Sequence, residues 1–233
     1  MYLDILFYIN EFLSLKMQIK LTQLNKHTND NLKIYELNDH KEIENMTQQI
    51  LKQNKYNQLR KLDAYCNEYI TDVNHLTNTL IELKCGIKCI HNYKSGIEQN
   101  GIKNLKVLQK LNASNNENIT DVNHLANTLI ELKCESYCGI NQDGIKDLKI
   151  LQNLYARCNK KINSVNHLAN TLFKLDCSEN CGINQDGIKD LKILRILNTS
   201  NNKNIKNVNH LANTLIKLKC VNFDHGIEQD GIK

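Results

Sequence analysis

The chain has 233 residues, no proline and no tryptophan, and aromatic residues make up only 6% of it. Its wealth of Asn, Lys and Ile looks like the mark of an AT-rich coding genome more than a physical demand. No apolar run approaches the ~18 residues that a membrane-spanning helix needs, so a span of that kind is excluded. Met1–Lys20 has no basic leading region and carries Asp4 and Glu11 among its apolar residues, unlike a secretory signal. A one-sided charge is missing too. Lys and Arg number 30 against 25 Asp and Glu, and the formal charge of +5 is too mild by itself to imply nucleic acid. There is no Ser/His/Asp set, no paired acidic motif and no dinucleotide fingerprint, so neither catalysis nor a cofactor is expected.

What is present is enough for a folded protein. Hydrophobic residues reach 41% and charged residues 24%, a composition that can bury a core. The nine cysteines are odd in number, and their spacing follows an internal repeat. Reduced thiols in an intracellular, cytoplasmic protein are the expected state.

That repeat governs the chain from about residue 59 onward. Asn-His-Leu-Ala-Asn-Thr-Leu occurs at 123–129, 166–172 and 209–215, and again at 74–80 with Thr77 in place of the alanine. Self-similarity at a fixed period marks a stacked array. Each period splits in two when units begin at Leu59, Leu80, Leu108, Leu129, Leu151, Leu172, Leu194 and Leu215. Odd units read Leu-x-x-Leu-x-Ala-x-x-Asn, as at Leu108, Leu111, Ala113 and Asn116. Even units read Leu-x-x-Leu-x-Cys-x-x-x-Cys-Gly-Ile-x-Gln-Asp-Gly-Ile, as at Leu129, Leu132, Cys134 and Cys138. The second unit carries an insertion between Cys85 and Gly96.

This pattern resembles the leucine-rich repeat family over about three quarters of the chain. The Asn-rich alternating units are similar to those of uncharacterised repeat proteins from large DNA viruses and protists. The resemblance implies an α/β fold: a right-handed solenoid with a parallel concave sheet and short helical or 3-10 turns on the convex side. It implies inward leucines at positions 1 and 4 of each unit and a small residue at position 6. It also implies an amide ladder at position 9, formed by Asn67, Asn116, Asn159, Asn180 and Asn202. Tyr137 and Phe223 interrupt that ladder.

Residues 1–58 lack the repeat and read as an N-terminal cap or small adaptor region, mostly helical, ahead of an eight-unit array at 59–233 whose last unit is incomplete. Residues 2–13 are densely apolar and predict a helix with one buried face. Met17, Ile19 and Leu21, then Leu32 and Ile34, alternate around the polar stretch 25–31 and suit a short hairpin. Asp39 and Glu42 resemble a capping box, and Ile43, Met46 and Ile50 follow at helical spacing, which predicts a helix over 39–54. The last unit stops at Lys233 before its next inward leucine. That leads to the expectation of a fragment, a frayed end or edge pairing with another copy.

The chemistry-bearing residues have plain roles in this register. His75, His124, His167 and His210 recur every second unit, so neighbours lie ~10 Å apart. Two ligands of one zinc must be far closer, which leaves turn histidines bonded to a neighbouring unit. Cys85, Cys134 and Cys177 stand where odd units have small residues and read as core thiols. Cys89 and His91 lie close enough in sequence to chelate together, but not at a standard zinc spacing, and no metal is expected. Gly-Ile-x-Gln-Asp-Gly-Ile lacks the Lys-Ser/Thr of a phosphate loop and reads as a turn whose glycines allow tight or left-handed backbone.

Function is therefore expected on positions 3, 5, 7 and 8, which vary from unit to unit on the concave face. The candidate partner-binding residues are Lys61, Asp63, Tyr65, Lys133, Tyr155, Arg157, Asp176 and Ile196, with Tyr65, Tyr155, Arg157 and Ile196 as anchors. Their mixed charge suits another protein as partner and argues against nucleic acid, which would call for a basic track with aromatic platforms. The expected function is a non-catalytic protein-protein interaction scaffold. The alternatives are a substrate-recognition adaptor of a larger assembly such as a ubiquitin ligase, and nucleic-acid binding, which predicts affinity falling steeply with salt.

Overall fold

A computed structural model of the chain describes residues 2–38, 43–87, 94–221 and 226–227, and only the backbone of residues 2–4, 7 and 11. The expected capping box at Asp39 and Glu42, together with Cys89, His91 and Phe223, lies outside the described residues. The fold is an α/β solenoid of short parallel strands that follow one another in chain order, joined by 3-10 turns and single helical turns. It divides into two compact units, Met1–Leu108 and Gln109–Lys233.

The first unit carries β1 (Glu36–Leu37), β2 (Lys61–Asp63) and β3 (Glu82–Lys84), paired in parallel. The second carries β4 (Lys110–Asn112), β5 (Glu131–Lys133), β6 (Asn153–Tyr155), β7 (Lys174–Asp176), β8 (Ile196–Asn198) and β9 (Lys217–Lys219). Register is set by the central leucine of each strand. Leu111, Leu132, Leu154, Leu175, Leu197 and Leu218 align across β4–β9. All but Leu218 are buried. A slip of one residue would turn every one of these side chains to the other face, so burial of the leucines locks the pairing. Position 1 leucines such as Leu129, Leu151 and Leu172 lie in the same core, as do Ala113, Cys134, Ala156, Cys177 and Thr199 at position 6.

Thr199 stands where the odd units at Ala64, Ala113 and Ala156 have no polar atom. Its buried hydroxyl oxygen has no hydrogen-bond partner among the described residues. A buried polar group left unpaired costs ~1–3 kcal/mol, and an apolar group of the same shape removes that cost. Thr199→Val is expected to stabilise the protein by about 1 kcal/mol, read as a rise in the denaturant midpoint at unchanged slope.

After β2 and after each of β4–β8 the chain turns through a left-handed residue at position 8. These are Cys66, Asn115, Ser136, Cys158, Glu179 and Asn201, with φ of 57° to 61°. The glycines do not share that conformation: no glycine has positive φ among the described residues. Of the tight or left-handed backbone expected at the glycines, the described residues show the tight one. Close approach is what requires the glycines. A Cβ on Gly139 would stand 2.2 Å from Glu117 O and 2.6 Å from Ile119 O. Gly182 and Gly187 press on the preceding turn in the same way.

The N-terminal stretch differs from its sequence reading in three places. Helix α1 (Tyr2–Phe12) forms as expected, but Ile5, Tyr8, Ile9 and Phe12 are exposed, so the expected buried face is absent among its described side chains. The buried residue is Asn10, whose amide donates to Lys33 O at 3.1 Å. The expected hairpin is instead α2 (Leu15–Thr22) and α3 (Lys26–Asn31). Asn25 and Thr28 form a reciprocal capping box that starts α3, and this local bonding overrides the alternation of Met17, Ile19 and Leu21. The helix expected over 39–54 is not continuous among the described residues: Ile43 is helical, residues 44–47 are not, and α4 (Gln48–Leu51), capped by Thr47, and a 3-10 turn at Asn54–Tyr56 follow. The carbonyls of Ile43 and Met46 accept from Asn67 Nδ2 at 2.7 and 3.0 Å, bonds that a continuous helix would keep for itself. Residues 34–38 and 43–58 thus supply β1 and the described part of its return turn, a repeat without the repeat signature.

Candidate outward-face site

The repeated motif holds neighbouring units together. In each described copy Asn-His-Leu forms a 3-10 turn: Asn74–Leu76, Asn123–Leu125, Asn166–Leu168 and Asn209–Leu211. Its asparagine reaches forward. Asn166 Nδ2 donates to Asp186 O at 2.7 Å, and its Oδ1 accepts from Asp190 N at 3.1 Å. Asn123 does the same with Asp143 O and Asp147 N. Its histidine reaches back. His167 Nε2 donates to Ile145 O and His210 Nε2 to Ile188 O, both at 3.0 Å. The glutamine of the even units adds another forward link: Gln142 Oε1 accepts from Asn163 N and Ser164 N, and Gln185 Oε1 from Lys206 N and Asn207 N.

Each of these imidazoles keeps an edge in solvent, while desolvation of the packed side lowers the pKa of His75 and His167 below the ordinary 6.5. The unfolded chain therefore binds protons that the folded chain resists. Stability is full above 6.5 and is lost as pH falls through the lowered values. The unfolding midpoint is expected to drop between about pH 7 and about pH 5, and His75→Gln with His167→Gln to flatten that part of the profile.

The amide ladder belongs to the odd units. Asn159 is fully buried; its Nδ2 donates to Cys134 O at 2.8 Å and Ile140 O at 3.1 Å, and its Oδ1 accepts from Lys161 N at 2.9 Å. Asn202 repeats the arrangement on Cys177 O and Ile183 O. Asn180 does not join it: it is exposed and left-handed, with φ of 55°. Tyr137, at the same position of another even unit, is 78% exposed. In even units position 9 swings to solvent and the next residue, Cys138 or Cys181, is buried in its place. The Cys181 thiol donates to Asn159 O at 3.3 Å. Amide and thiol therefore alternate along the ladder. Burial pushes Cys138 and Cys181 up to about 11 and raises Cys134 and Cys177 well above the ordinary thiol value, so all four stay protonated. Among the described residues no group of three or more His, Cys, Asp or Glu side chains could hold a metal ion.

The variable positions form two rows across β4–β9. One row aligns Lys110, Glu131, Asn153, Lys174, Ile196 and Lys217, and the other Asn112, Lys133, Tyr155, Asp176, Asn198 and Lys219. The structure thus brings Lys133, Tyr155 and Asp176 side by side, with Ile196 one strand beyond Lys174. Tyr155 is the centre of the group. Lys133 Nζ lies 4.8 Å and Lys174 Nζ 4.7 Å from its ring centroid, attracted by the negative ring face. Lys174 was not singled out in the sequence. It stands opposite Asn153 in the other row, and only the long stem brings its charge to the ring. Arg157, with 56% of its side chain exposed, stands 3.6 Å from Glu179. Glu135 is half-buried there, and its carboxyl pKa is raised by desolvation and by the nearby Asp176. Beside this face runs a groove of about 510 Å³ lined by Tyr137, Cys158, Lys160 and Glu179, a product of the even-unit turn.

Lys61, Asp63 and Tyr65 sit in the first unit, and their polar groups have internal partners. Lys61 pairs with Glu36 at 2.7 Å, Asp63 with Lys84 at 2.9 Å, and the Tyr65 hydroxyl donates to Ile87 O at 3.0 Å. Glu36 comes from the stretch without the repeat signature, so its role was invisible in sequence. Comparison of the chain with protein-family models, with curated proteins and with solved structures returns no match.

Proposed function

We propose that the chain is a non-catalytic protein-binding scaffold that engages its partner through the outward face of β5–β8, the concave face of the leucine-rich repeats it resembles. One observation supports this most strongly. The motif histidines, the ladder asparagines and the thiols of Cys134, Cys138, Cys177 and Cys181 are committed to stacking, whereas Tyr155, Arg157 and Ile196 stand on the sheet face with exposed surface. Tyr and Arg are the residue types that most often carry binding energy at interfaces. No helix among the described residues is long and apolar enough to cross a membrane.

The test is a pull-down from cell lysate with the intact chain and with Tyr155→Ala/Arg157→Ala. Both side chains point outward, so the variant keeps its fold, checked by its unfolding midpoint, and is expected to lose the partner. Equal recovery by both proteins contradicts the proposal. A second reading, the adaptor, is favoured by the exposed Ile5, Tyr8, Ile9, Phe12, Met17 and Leu24 of the N-terminal helices. It predicts a second bound protein, lost on Tyr8→Ser/Phe12→Ser and kept in the Tyr155/Arg157 variant.

A further inference from the structure

We propose that Lys133, Tyr155 and Lys174 form a clip for a carboxylate side chain carried by an extended segment of the partner protein, with an apolar side chain of that segment seated on Ile196. The inference rests on the outward-face scaffold described above and names what that face recognises.

Charge accounting across the face carries the argument. Its acids are held from within. Asp176 Oδ1 accepts from Ser178 N at 3.1 Å and from Ser178 Oγ at 2.6 Å, and its Oδ2 accepts from Asn198 Nδ2 at 2.9 Å. Glu179 faces Arg157 and accepts from Asn201 Nδ2 at 3.3 Å. Glu135 is drawn into the sheet, which disfavours its charged form. The two lysines are not matched in this way. Among the described residues the one ion pair of Lys133 is with Glu131, at 3.7 Å, beside its longer-range attraction to Glu135, and Lys174 makes none. Two ammonium groups within 5 Å of one ring centroid repel each other, and the ring only partly offsets that. A carboxylate at the positive edge of the ring, beside the Tyr155 hydroxyl, offsets that repulsion and gains charge-assisted hydrogen bonds from the ammonium groups that reach it there.

The donors indicate which anion. No guanidinium takes part in the clip, since Arg157 is turned to Glu179. Two point-charge donors suit a carboxylate, whereas phosphoryl recognition favours the planar guanidinium fork or a nest of backbone N–H groups. Ile196 lies two strands from Tyr155, ~10 Å away, which an extended segment covers in about three residues. It is 36% exposed and offers an apolar seat at that distance.

The experiment pans the full chain against displayed random linear dodecapeptides and measures the selected peptides by fluorescence anisotropy. Selected sequences are expected to carry Asp or Glu with an apolar residue about three positions away. Lys133→Met/Lys174→Met is expected to weaken them at least roughly tenfold without moving the unfolding midpoint. Replacing the peptide's acid by Ala should cost the same on the native chain and little more on the double variant. Peptides without an acid, or peptides that bind the double variant as well as the native chain, overturn the clip. If those peptides still depend on Arg157 and Ile196, the outward-face scaffold survives and only the clip falls. If no peptide is selected, or none responds to any of these substitutions, both fall. A phosphoserine in place of the acid that binds more than tenfold tighter reassigns the clip to phosphoryl groups and overturns the carboxylate.

Discussion

Asn159→Ala is expected to destabilise the protein by about 3–5 kcal/mol, a large part of the 5–15 kcal/mol typical of a folded domain. The buried amide satisfies Cys134 O, Ile140 O and Lys161 N at once. Alanine offers none of these three groups a partner, and the site is fully buried. Asn180→Ala is the matched comparison. The sequence puts both asparagines at position 9, but Asn180 is exposed and left-handed. Its replacement loses only the preference of asparagine for that backbone, about 1 kcal/mol or less. Chemical denaturation of the two variants separates these values. Equal losses contradict the alternation of amide and thiol along the ladder.

Gly139→Ala is the second large effect. The new Cβ would stand 2.2 Å from Glu117 O and 2.6 Å from Ile119 O. Both are backbone atoms, so no side chain can rotate away. The turn must retreat, and the bond from Gly139 N to Asn116 O at 3.0 Å goes with it. The loss is expected to be about 3 kcal/mol or more. Because φ at Gly139 is not positive, backbone strain plays no part. A substitution that costs less than about 0.5 kcal/mol would contradict the close approach.

Much of this architecture was legible because it is periodic. Leucines at positions 1 and 4 repeat at a near-constant interval, and burial of those side chains sets strand register and the alignment of the outward rows. The repeated histidine was legible as a link between units, because a two-unit spacing forbids a shared metal. The even-unit turn was not legible. Tyr137 and Asn180 share position 9 with the ladder asparagines, and only the path of the turn shows that the next residue, Cys138 or Cys181, goes inside instead. Residues 34–38 and 43–58 were hidden for a related reason. They form β1 with Glu36–Leu37 and a turn held by Asn67, but they carry none of the signature at signature spacing. The candidate site was legible as single positions and not as a group. Sequence placed Lys133, Tyr155, Asp176 and Ile196 outward. It could not assign the second ammonium, from Lys174, to the Tyr155 ring, nor show that Lys61, Asp63 and Tyr65 have partners of their own.

The exposed apolar side chains of α1 mark the largest departure. Dense apolar sequence ordinarily goes inward. Here Ile5, Tyr8 and Phe12 face solvent while Asn10 is buried. A sequence pattern tells that a helix is amphipathic, not whether its apolar face meets the chain's own core or another surface.

The central claim is that the uniform motif builds the stack and the varying outward residues bind. The most direct measurement is the dissociation constant of the recovered partner for two single-purpose variants, each beside its unfolding midpoint. Tyr155→Ala/Arg157→Ala is predicted to weaken binding at least roughly tenfold with an unchanged midpoint. His167→Gln is predicted to lower the midpoint and leave binding by the folded protein intact. Binding that survives the first variant and is lost in folded His167→Gln would place function on the motif and contradict the account.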